Sequence, residues 1–125
     1  MILVLSSNQS DHFEIQLDEE KNYIISIIDL YCFGLTPGIY RIGSNLIHQD
    51  VTNSFRCIGI LQVSNRNTPA VFAPSHLTYH KLNFRTISTA NLQFNSLQTN
   101  RKIIPTDFIV RFHIQENNGL LVNLQ

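Results

Sequence analysis

His76 and His80 come nearest, by type and spacing, to a metal-binding arrangement. Four residues apart, they share a face of a helix and equally a face of an extended strand, and two imidazoles on one face can begin a metal site. A third ligand at a defined spacing is missing, and no H-E-x-x-H occurs. The pair therefore reads as surface or inter-strand histidine. His113, on the polar side of a strand pattern, reads as a solvated or interface residue. Histidines meeting across a subunit boundary would weaken it near about pH 6.

Asp18, Glu19 and Glu20 form the one dense charge cluster, followed by Lys21 and Asn22 where the chain must turn. Solvated carboxylates in a turn have no cause for the shifted pKa values that acid–base catalysis needs. There is no G-x-S-x-G elbow, no glycine-rich phosphate loop, and no Cys beside a His. Cys32 and Cys57 sit in apolar runs without C-x-x-C spacing, which predicts two buried thiols rather than a disulfide or a metal knuckle. Tyr23, Tyr31, Tyr40 and Tyr79 could line a sugar-binding face, although aromatic residues at alternate strand positions are more often core. The residues thus name no catalytic, cofactor-binding or metal site, and the chain reads as a non-enzyme.

The elements that would carry any site are strands. In Thr106 to Gln115, Phe108, Val110, Phe112 and Ile114 fall on one side of an extended backbone, and Asp107, Arg111, His113 and Gln115 on the other. Alternation recurs in His12 to Leu17, Phe55 to Val63, Leu82 to Ile87 and Asn91 to Asn95. Tyr23 to Cys32 is apolar on both phases and rich in β-branched residues, so it predicts a strand covered from both sides. Within it, Asp29 is expected at a solvated rim, because an unpaired buried carboxylate is costly. Pro37 and Gly38 predict a type II turn with Gly38 at positive φ. Gly43-Ser44 splits two short strands, and Gly59 marks a bulge or a close backbone approach. Ser64 to Pro69 is loop by composition.

Strands recurring about every ten residues, with turn signals between and no helical period, predict about eight of them. The expected fold is all-β: one antiparallel β-sandwich of jelly-roll type spanning residues 1–125. Charged residues make up 14% of the chain, against an ordinary share of about a quarter, and the formal net charge is zero. Copies of such a chain repel one another weakly, which suits close association. Nine scattered Lys and Arg residues make no basic stripe, so nucleic acid is not an expected partner. Met1 to Leu5 is too short for a signal peptide, no apolar run approaches a membrane span, and Asn8-Gln9-Ser10 reads as a coincidental glycosylation motif.

Three stretches together carry a resemblance. Leu3 to Ser10 with Phe13 and Leu17, and then Tyr23 to Tyr31, resemble the opening of virion proteins from Maverick/Polinton-type elements and adintovirus-like DNA viruses of invertebrates. Those begin with a serine-serine-asparagine strand, a Phe-x-x-x-Leu strand and an apolar strand ending in an aromatic. Pro74 to Leu82 leading into Ile87 to Phe94, and Phe108 to Ile114, resemble the closing strands of the same family. The resemblance covers about half of the chain and implies a jelly-roll structural protein of the virion, assembled inside the host cell. Gly34 to Ala73 is much shorter than the corresponding part of that family, which points to a single jelly roll in a minor capsid, vertex, cement or spike-head role. Partners expected on this reading are copies of the chain and other virion proteins, meeting through strand edges and the loops Gly34–Gly38 and Ser64–Pro69. The alternative is a module that binds a host receptor or glycan without assembling.

Overall fold

The computed structural model describes residues 1–6, 14–47, 57–82, 86–87, 91–103 and 107–117. Those residues are all-β, with no helix. The last of the strands, β11 (Asp107–Glu116), runs antiparallel between β1 (Ile2–Ser6) and β3 (Tyr23–Phe33). Val110, Phe112 and Ile114 are buried, and Phe108 packs half-buried against the same core, as their alternation requires. Full burial of each such side chain is worth about 1.5–3 kcal/mol. Exposure of that row would therefore undo the sheet.

On its other edge β3 pairs with β6 (Ala70–Phe72) at Leu30 to Cys32 and with β7 (His80–Lys81) at Ile24 and Ile25. A second sheet has the order β10 (Lys102–Ile103), β9 (Leu92–Ser96), β4 (Gly38–Ser44), β5 (Gly59–Val63). A small ribbon pairs β2 (Ile15–Gln16) with β8 (Thr86–Ile87). Every pairing is antiparallel. Inward residues of both larger sheets, among them Leu30 and Phe112 from one and Tyr40, Leu61 and Phe94 from the other, join a single apolar core in a sandwich-like arrangement. Eleven strands stand among the described residues, against the eight or so expected.

The two-phase apolar pattern of β3 has a local cause. Arg111 pairs with Asp29 and Phe112 with Ile27, so Ile28 is an extra residue in β3. Such a bulge moves the inward phase by one position. Ile25 and Ile27 point to the core before it, and Leu30 and Cys32 after it. Covering from both sides applies only to the first half, where Ile24 and Ser26 are also buried.

Several local expectations need correcting. Asp29 lies in mid-strand, 8% exposed, rather than at a rim, because a cation sits directly across from it. Strand β4 runs through Gly43 and Ser44, since Gly43 pairs with Gln93 and Ser44 with Leu92; the chain turns at Asn45-Leu46 instead. Gly38 has the expected positive φ, at +157°, but as the first residue of β4 rather than in a type II turn, and a Cβ there would lie 2.8 Å from the Gln98 amide oxygen; Gly34 at φ +83° and Asn100 at φ +56° are the left-handed residues among those described. Gly59 is the expected close approach: a Cβ there would lie 2.5 Å from the ring of Phe72 in the facing sheet. Cys57 is exposed rather than buried, as it precedes β5 instead of lying within it, and both thiols are free. The Asn8 motif, His12 and Phe13, Phe55 and Arg56, and the tail beyond Asn117 lie outside the described residues.

Candidate interaction surface

One face of the five-stranded sheet meets the core, and the other divides in two at the Ile28 bulge. Above it, Tyr79, next to β7 on one edge of β3, reaches His113 on β11, which pairs with Ser26. The phenol oxygen lies 2.6 Å from His113 Nδ1 and the rings meet edge-on. To make that contact the tyrosine must pass over β3 at Ser26, which accounts for burial on this side. Below the bulge the face is bare. Ile109 pairs with Tyr31 and Tyr31 with Val71, forming an apolar row across three strands. Phe33 follows Tyr31 on the same side, and Val4 stands beside Arg111 on β1. These five side chains are 43–50% exposed.

Asp29 and Arg111 lie inside this bare region as register partners. The guanidinium donates from Nε to Oδ1 at 2.9 Å and from Nη2 to Oδ2 at 2.5 Å, a two-pronged geometry that only Arg can supply. The carboxylate side chain is 11% exposed and the guanidinium side chain 45%. Hydrogen bonds from Arg111 hold the Asp29 carboxyl below its ordinary pKa, overcoming desolvation, and the same bonds raise the pKa of Arg111. Among the described residues, the pair cancels the two charges that border the row.

The residues suggested by sequence are scattered. His76 is exposed and His80 sits half-buried on β7; His12 and His48 lie outside the described residues. Among the described residues no three His, Cys, Asp or Glu side chains approach as metal ligands would. Burial pushes the Cys32 thiol up to about 11, with a contribution from Asp107, so it is a poor nucleophile. The four tyrosines part company. Tyr40 is core, tilted against Phe94 at 6.3 Å, Tyr23 accepts a hydrogen bond from the Asp18 amide, Tyr79 holds His113, and only Tyr31 is exposed. The loop Gly34–Gly38 contributes Thr36 and Pro37 to a cavity of about 320 Å³, which Tyr40, Ser96, Gln98, Thr99, Arg101 and Ile103 complete. Ser64–Pro69 is an exposed loop held by Asn65, whose side chain accepts from the Asn67 amide.

Sequence reasoning missed the bare row, although its signal was present: Ile109 is an apolar residue on the polar phase of β11, and Val4 and Tyr31 likewise break alternation. No protein-family model matches the chain, and no curated protein or solved structure matches it.

Proposed function

We propose that the chain is a virion structural protein: a single jelly roll that packs against its own copies and neighbouring virion proteins as a minor capsid, vertex, cement or spike-head component. The observation that carries this reading is the pairing scheme. A jelly roll is a long antiparallel hairpin of eight strands rolled up, so its first strand pairs with its last, its second with its seventh, and so on inward. Counting β6 with β7 along one edge of β3, and β8 with β9 together, leaves nine, or eight with β10 set aside. The pairs β1–β11, β2–β8, β3 with β6 and β7, and β4–β5 then follow that nesting. Rolling adds β11–β3 and β9–β4, which are also present, and only β10 lies outside the scheme.

Fold does not choose function, since jelly rolls also serve lectins and cupins. Support for assembly comes from surface chemistry: few charges, zero net charge and large apolar side chains left half-exposed on one sheet. Sedimentation velocity and electron microscopy of the purified protein test the proposal. Regular high-mass rings or shells are expected, and a protein that never exceeds a dimer over a wide range of concentration and salt refutes it. The cavity at Arg101 favours a second reading, a receptor- or glycan-binding module. There an acidic sugar would meet the guanidinium and the hydroxyls of Thr36, Ser96 and Thr99. A glycan array should then show binding by the native protein and none by Arg101→Ala.

A further inference from the structure

We propose that the bare half of the outer face of the five-stranded sheet, centred on Tyr31 and Ile109, is covered by a second copy of this chain. Val4, Ile109, Tyr31 and Val71 lie on four adjacent strands and Phe33 lies beside Tyr31, so the five form one continuous patch rather than scattered surface residues. At roughly half exposure each, they present on the order of 450 Å² of apolar surface, a size that the largest patch on a soluble protein commonly reaches and that often marks a functional surface. A standard interface needs about 800 Å² per partner, about two-thirds of it apolar in homodimers. The five residues with Arg111, Asp107 and Ser6 as rim approach that size.

The chemistry selects the occupant. A twofold dimer presses a patch against itself, so the patch must be self-complementary. A row of branched and aromatic side chains with no net charge satisfies this, because Asp29 and Arg111 cancel within one copy. An anionic membrane or nucleic acid would ask for a surplus of cations, and the described residues of this half of the face offer none: Arg111 is paired and Asp107 stands at its border. Tyr31 and Phe33 are the anchors expected at the centre of such a contact. The upper half of the face, closed by Tyr79, limits the patch on one side.

The inference deepens the assembly reading and rests on it for its biological role, but the two fail separately. Sedimentation equilibrium of the full chain at micromolar concentration should show the dimer as the smallest species, with at least twice the monomer mass. Ile109→Ser and Tyr31→Ser should each weaken dimerisation by about tenfold or more, as loss of a central anchor does. Ile60→Ser, equally exposed on the outer face of the other sheet, should leave it unchanged. Circular dichroism confirms that each variant is folded, and Val71→Ser offers an independent variant on another strand. A monomeric native protein overturns the inference, as does a dimer that tolerates both Ile109→Ser and Tyr31→Ser, or binding of this face to lipid vesicles in preference to itself. Dimers without larger assemblies uphold the inference and refute the virion role; rings or shells indifferent to these substitutions do the reverse.

Discussion

Replacing Asp29 by Asn removes the charge of a 92%-buried residue while keeping its shape, and so isolates the pair with Arg111. Two charge-assisted hydrogen bonds, at 2.9 and 2.5 Å, become at best one ordinary one. Because nearly half of the guanidinium is open to water, Arg111 keeps its solvation when its partner is lost, so the expected cost is about 1–2 kcal/mol at pH 7. For a domain of this size that lowers Tm by roughly 3–8 °C. The pH dependence follows from the direction of the Asp29 shift. A carboxyl held lower in the folded protein than in the unfolded chain stabilises fully above the unfolded value, about 3.9, and loses that contribution as pH falls through the folded value. The gap between native protein and Asp29→Asn in urea unfolding should therefore be constant from pH 7 down to about 4.5 and narrow below about 4. Equal stability at pH 7, or a gap that widens on acidification, would refute the argument. Arg111→Ala should destabilise more than Asp29→Asn, because it strands a carboxylate with little access to water, and Asp29→Asn in the same chain should recover part of that loss.

Three further outcomes follow from the packing. Phe112→Ala empties a fully buried position at the centre of β11 and should cost about 3–5 kcal/mol in chemical denaturation, whereas Ile109→Ala on the opposite side of the same strand should change stability by less than about 1 kcal/mol. Gly59→Ala drives a methyl into the Phe72 ring and should cost about 1–3 kcal/mol, with Phe72→Leu in the same chain relieving it. At pH 8 a thiol reagent should modify Cys57 rapidly and Cys32 only at the rate of unfolding, so that one thiol reacts in native buffer and two in denaturant.

The strand class was legible in the sequence because alternation is a local signal, and β11 shows it with little interruption. The bulge was not. An extra residue in β3 leaves no mark in composition, only a change of phase between Ile27 and Leu30 that reads equally as two covered faces. The misplacement of Asp29 has the same origin. Its partner lies 82 positions away, and no local rule brings Arg111 opposite it. Cys57 was misjudged because apolar neighbours implied a strand that begins only at Gly59.

The bulge also joins the fold to the surface proposed for association. Without the bulge, that is with Ile28 paired in the ladder, the phase of β3 would stay constant from Tyr23 to Phe33. Tyr31 and Phe33 would then share the inward side of Ile25 and Ile27, and Leu30 and Cys32 would point outward. With it, two aromatic rings are turned to the outside beside Ile109, and Asp29 faces the same way, where Arg111 can reach it. By bulging out, Ile28 leaves an apolar anchor and a neutralised ion pair together on the same outer face. A single deletion of Ile28 tests this linkage: it makes Ile27–Phe112 and Asp29–Arg111 consecutive pairs of a regular ladder, so both halves of β3 should keep their faces and the variant should keep the acid-dependent stability gap. If the deletion abolishes that gap, Ile28 is not the extra residue that the bulge absorbs.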